Sequence, residues 1–102
     1  MEQADFVRRL VELRMNKGVS AREMSLSMGQ SPGYINNIEN GVNLPSMTAF
    51  FDICDYLRIT PKEFFDTGAH DPVKVQELVK AVEGLSREQL NDLISIAKNL
   101  KR

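Results

Sequence analysis

The chain is short of features that define whole classes of protein. Its single cysteine, Cys54, cannot close an internal disulfide, so nothing in the fold needs an oxidising compartment and a cytoplasmic setting is expected. No apolar run approaches a membrane span or a signal-peptide core, and the first residues, MEQADFVRRL, carry two carboxylates within five positions. Neither sign of charge dominates, the formal net charge being -1. Residues 1–17 set Arg8, Arg9, Arg14 and Lys17 against Glu2, Asp5 and Glu12, and residues 18–45 set Arg22 against Glu23 and Glu39. Affinity for nucleic acid comes from neutralising phosphates, so any such surface must be assembled from a few cations that the fold brings together. His70 stands alone, with no second histidine or cysteine at metal-ligand spacing. A phosphate-cradling glycine loop and a hydrolase nucleophile elbow are also missing. The expectation is therefore a chain that is no enzyme and has no metal, cofactor or small-molecule ligand. No internal repeat or low-complexity segment breaks it up.

What is present is helical periodicity and helix punctuation. At 102 residues, 42% of them hydrophobic, the chain has room for one domain with a small core. Phe6, Leu10 and Leu13 recur at helical spacing and predict a first helix over about Gln3 to Asn16, stopped by Gly18. Ser20 and Glu23 have the spacing of a capping box, with Val19 and Met24 as its hydrophobic staple. They open a second helix that ends at Met28-Gly29-Gln30. Ser31-Pro32 signals a third start, a hydroxyl cap followed by a ring whose φ already suits the first turn. The third helix closes at Asn40-Gly41. Two short helices joined by a tight glycine turn, with Met24, Met28, Ile35 and Ile38 as their shared core, make a helix-turn-helix. The outer face of the second of them, with Tyr34, Asn36 and Asn37, is left free.

A fourth helix from near Ser46 to Leu57 turns Phe50, Ile53, Cys54 and Leu57 inward, which makes Cys54 a small buried hydrophobe. Thr60-Pro61-Lys62-Glu63 caps a short fifth helix that Phe64 and Phe65 plug onto the rest. The linker DTGAHD follows. Asp71-Pro72 then restarts a helix with Val75, Leu78, Val79 and Val82 on one face, and Gly84 interrupts it. Ser86 and Gln89 cap a last helix whose stripe is Leu90, Leu93, Ile94, Ala97 and Leu100. The fold class is thus all-α: a compact five-helix helix-turn-helix domain over residues 1–66, then two C-terminal helices over residues 71–102. Neither tail helix is stable alone in water, so each must pack on the domain, on its neighbour or on another chain.

Residues 6–66 resemble the helix-turn-helix family of phage repressors and Cro proteins, also called the xenobiotic-response-element family. The resemblance rests on Val19-Ser20, on Glu23-Met24-Ser25 where the family has Glu-Leu-Ala, and on Gly29, Ser31 and Ile35. It continues through Ile38-Glu39-Asn40-Gly41, Pro45-Ser46 and Ile59-Thr60-Pro61. It implies a repressor-like five-helix fold and sequence-specific binding to double-stranded operator DNA, commonly as a homodimer on a two-fold symmetric site. The third helix would enter the major groove. Pro32, Gly33 and Asn37 stand where relatives face bases, with Asn36 beside them, and an asparagine amide can bond bidentately to adenine N6 and N7. Lys17, Arg22, Tyr34, Asn40, Asn43 and Lys62 are candidates for the DNA backbone. Arg14 and Glu39 match a structural pair that joins the first helix to the third. The chain departs from the family at Ala21, where relatives carry a phosphate-binding glutamine, and in the neutral loop Val42-Asn43-Leu44. A second reading therefore stands beside the regulator: a protein-interaction module of the same fold that binds DNA weakly or not at all. The apolar stripe of the last helix is the candidate dimer contact.

Overall fold

The computed structural model describes residues 1–101, which form seven α-helices and, among the described residues, no strand. They are α1 (Gln3–Lys17), α2 (Ala21–Ser27), α3 (Tyr34–Glu39), α4 (Met47–Leu57), α5 (Pro61–Phe65), α6 (Pro72–Val82) and α7 (Arg87–Leu100). Most start where a side-chain oxygen can take an orphan amide of the first turn. Ser20, Ser46, Thr60, Asp71 and Ser86 each accept the backbone N–H three residues on. The boxes at Thr60–Glu63 and Ser86–Gln89 are complete, whereas at Ser20 the hydroxyl caps Glu23 at 3.0 Å without a return bond from the carboxylate.

The core is a single cluster. Leu10 and Leu13 of α1, Met24 of α2, Ile35 and Ile38 of α3, Ile53 and Leu57 of α4 and Phe64 of α5 are all buried in it. Cys54 is buried with them, and burial pushes its thiol up to about 11, which leaves it protonated and inert at neutral pH. Phe6, Phe50 and Phe64 form an aromatic group with centroids 5.0–5.9 Å apart. Phe65 departs from the expected plug: it stacks on Phe50 at 5.4 Å but stays 46% exposed, because α5 ends there and no helix passes over it.

The DTGAHD segment is not a loose tether. Arg9, 3% exposed on α1, reaches carbonyls at the C-terminal end of α5 and just beyond it. Its Nε donates to Phe64 O at 2.5 Å, and Nη2 is shared among Glu63 O, Asp66 O and Ala69 O at 2.7–3.0 Å. Nη1 meets Glu12 at 2.5 Å. Glu12 in turn faces His70 Nδ1 at 3.0 Å, and Asn16 donates to His70 O at 2.6 Å. Burial acts to raise the Glu12 carboxyl, but the bonds from His70 and Arg9 outweigh it and hold it below the usual carboxylate range. This chain of contacts lays the linker along α1 and delivers α6 to a fixed place. There Pro72 is buried, Val73 packs on the core, and Gln76 donates to Glu63 at 2.6 Å.

Beyond that anchor the chain leaves the body. Gly84 takes φ +85, the turn that separates α6 from α7. No residue of α7 is buried, and the α6 face formed by Val75, Leu78 and Val79 is more than half exposed. The radius of gyration is 16.5 Å, against about 13 Å for a compact domain of this length, and the molecule is 50 Å long but only 26 by 22 Å across.

Candidate nucleic-acid interface

The helix-turn-helix is built around Gly29 and Ser25. Gly29 takes φ +74, a conformation costly for any residue with a Cβ, and its N–H bonds Leu26 O at 3.0 Å while Gln30 N–H bonds Ser25 O at 2.9 Å. The expected cap at Ser31 is not formed. Instead Ser31 O accepts the Tyr34 N–H at 3.1 Å, so residues 31–34 make a β-turn in which Gly33 sits at φ −94, ψ 4. The helix proper begins at Tyr34 without a side-chain cap from its own segment. Its missing partner comes from the neighbouring helix. Ser25, fully buried, accepts the Ile35 N–H at 2.9 Å and donates its own proton to Ala21 O at 2.7 Å.

Ser25 is the residue that stands where the family has alanine, and this is what it does here: it ties the start of α3 to α2. We expect Ser25→Ala to leave the Ile35 amide buried and unpaired and to lower stability by about 1–3 kcal/mol. Urea unfolding followed by circular dichroism checks this; an unchanged midpoint would exclude a capping role for that hydroxyl.

The third helix is held on its inner side and free on its outer side. Ile35 and Ile38 are buried, whereas Pro32, Gly33, Asn36, Asn37 and Asn40 are exposed. Asn37 has its backbone engaged, N–H to Gly33 O and C=O from Val42 N–H, both at 2.9 Å, while its side chain is free to meet a ligand. Gly33 lies one turn before it on the same face: a Cβ there would stand 4.0 Å from Asn37 Nδ2, so the glycine leaves that flank of the amide open. Tyr34 is half-buried against the core; desolvation, helped by the Asp52 carboxylate, raises its phenol above the ordinary value. Asn43, Arg22 and Lys62 are exposed. Lys17 is exposed too but is turned elsewhere, its ammonium 4.9 Å from the Tyr56 ring centroid and its stem beside α6.

Arg14 and Glu39 come together. Arg14 Nε and a terminal nitrogen reach the two Glu39 oxygens at 2.7 and 3.0 Å, a bidentate pair, and the other terminal nitrogen donates to Val19 O at 2.9 Å. The bond from Glu39 raises the guanidinium further above its usual value, against the opposing effect of burial. The pair clamps the C-terminal end of α3 to α1, as Ser25 clamps its start to α2.

A short helix fixed at both ends, with asparagines outward and a glycine beside one of them, defines a helix-turn-helix DNA-binding domain. A family model described as helix-turn-helix, of the Cro type, matches residues 10–64. This chain belongs to that family, and with it to the DNA-binding transcription regulators rather than to an enzyme family. Neither a curated protein nor a solved structure matches the chain. Among the described residues, no helix is long and apolar enough to cross a membrane and no cluster of potential metal ligands occurs.

Proposed function

We propose that this chain is a cytoplasmic, sequence-specific repressor that acts as a homodimer on a two-fold symmetric operator. Residues 1–66 would bind DNA, and residues 71–102, with Leu90, Leu93, Ile94, Ala97 and Leu100, would supply self-association. The single observation that carries the reading is the outward asparagine pair on a helix anchored by Ile35, Ile38, Ser25 and Arg14. In the proposed complex α3 lies in the major groove, Asn37 reads an adenine edge, and Asn36, Pro32 and Gly33 line the same surface. Tyr34, Asn40, Asn43, Arg22, Lys17 and Lys62 are the backbone candidates.

The electrostatics of that surface set a quantitative expectation. With Lys17 turned to Tyr56, the candidate cations are Arg22 and Lys62, four in a dimer. At about 0.9 per neutralised phosphate, log affinity falls against log salt with a slope no steeper than about −4. Selection of bound fragments from genomic DNA, followed by titration across a salt series, tests the reading. Retention of a defined symmetric sequence supports it, and equal negligible retention of every fragment at low salt would replace it with the interaction-module reading. On the selected site, Asn37→Ala is expected to weaken binding about 5- to 150-fold, the cost of one bidentate base contact. It should leave the affinity for unrelated DNA nearly unchanged. Loss of less than about twofold would remove Asn37 from the base-reading role.

A further inference from the structure

The end of α3 is a regular motif with one member uncovered. Gly41, at φ +76, bonds Ile38 O through its N–H at 3.0 Å, and the next N–H, that of Val42, returns to Asn37 O at 2.9 Å. This pair of bonds closes a helix at a left-handed glycine, and the residue after the glycine then packs on an apolar side chain in the last turns of the helix. The two positions that would receive Val42 are Asn37 and Asn36, both polar and both exposed. Val42 therefore has the fixed backbone that the motif provides and lacks its usual cover. It is 70% exposed, more than any other large apolar residue of residues 1–66.

The place of Val42 decides what can cover it. The motif sets it beside Asn37, whose neighbours on the outward face of α3 are Gly33, Asn36 and Asn40. In the proposed complex that face meets the major groove, where the one methyl group is the C5-methyl of thymine. An A·T pair presents this methyl together with the adenine N6 and N7 that an asparagine amide reads.

We propose that Val42 is a specificity-determining residue, its side chain packing on the methyl of a thymine in, or next to, the A·T pair whose adenine Asn37 reads. The inference rests on the sequence-specific reading and adds an apolar half to its base contact. It also gives the neutral loop Val42-Asn43-Leu44 a use. A lysine or arginine there would add affinity for any duplex, whereas a valine adds affinity only where the methyl is present.

The test replaces thymines of the selected site by deoxyuridine, one position at a time and in both half-sites. Uracil keeps every hydrogen-bonding group of thymine and loses only the methyl. The pair that Asn37 reads is located as the position where Asn37→Ala loses its preference. For the wild-type chain, uracil at one thymine in or next to that pair should weaken binding about fourfold per half-site, the worth of one covered methyl. Val42→Ala keeps the N–H that bonds Asn37 and changes only an exposed side chain, so its circular dichroism and urea midpoint should match the wild type. Its affinity for the thymine site should fall to near that of the wild type for the uracil site, and uracil should then cost it less than about 1.5-fold, because the methyl has lost its partner. A uracil cost that persists undiminished in Val42→Ala overturns the proposal and leaves the reading by Asn37 standing. So does a wild-type chain that binds uracil and thymine equally at that pair and its neighbours, a measurement that needs no variant. Failure to select any site would remove the sequence-specific reading and this contact together.

Discussion

Arg9→Ala should be among the most damaging single substitutions in this protein, lowering its stability by about 3–5 kcal/mol. The expectation follows from where the guanidinium is. It is buried on α1, it neutralises part of Glu12, and it supplies donors to four backbone carbonyls between Glu63 and Ala69. Removing it leaves Phe64 O, Ala69 O and one Glu12 oxygen without a partner and reduces Glu63 O and Asp66 O to one backbone bond each, and a hydrogen bond to a charged donor is worth more than a neutral one. A domain of this size is stable by only about 5–15 kcal/mol, so the loss takes a large share of the whole. Arg9→Lys should recover little, because one ammonium with three donors cannot span the fan of carbonyls that the planar fork does. Urea unfolding gives the magnitude. Limited proteolysis gives the location: cleavage within Thr67–His70 should accelerate in the variant more than cleavage elsewhere. An Arg9→Ala protein with the wild-type midpoint and an intact linker would show that the guanidinium fan has no mechanical role.

The same residue marks the boundary of what the sequence reveals. Five helix starts were legible because a cap is a local event: Ser20, Ser46, Thr60, Asp71 and Ser86 each meet an amide three residues away, within the reach of a pattern. The core stripes were legible for the same reason, as Leu10, Leu13, Ile35, Ile38 and Ile53 recur with the period of the helix. Arg9 finds its carbonyls 54 to 60 residues further on, and nothing in its neighbourhood distinguishes it from Arg8, which lies on the surface beside Asp5. In the sequence Ser25 is no more than part of the family pattern, and only the packing of α2 on α3 shows that its hydroxyl replaces the cap that Ser31 does not provide. Phe65 carried the signature of a core residue; whether an aromatic at the end of a stripe is covered depends on where the next element goes, and here the linker turns along α1 instead. For the interface the balance is similar. The exposed asparagines were readable from helical spacing alone, whereas the turning of Lys17 toward Tyr56 was not, since its partner belongs to a different helix.

Arg14→Ala should have an effect of the same size on stability and a further one on DNA. α3 is six residues long, too short to hold its own shape in water, so its placement depends on what grips it. Ser25 grips the start and the Arg14–Glu39 pair grips the end, with side chains only 16% and 10% exposed. Deleting the guanidinium strands a largely buried carboxylate and frees Val19 O, at a cost of about 3–5 kcal/mol. With the slope usual for small proteins this moves the urea midpoint down by roughly 2 M. Replacing both partners together, Arg14→Met with Glu39→Leu, should cost much less, because no charge is left unpaired. DNA binding separates the two consequences of the pair. At a temperature where both variants are folded by circular dichroism, the single variant should bind a selected site more weakly than the double variant, because its α3 is loosened at the end that the clamp holds. Equal stability of single and double variants would mean that the bidentate geometry contributes nothing beyond packing. Equal binding, with stability lost only in the single variant, would mean that α3 needs no clamp at Glu39 to present Asn37 to the groove.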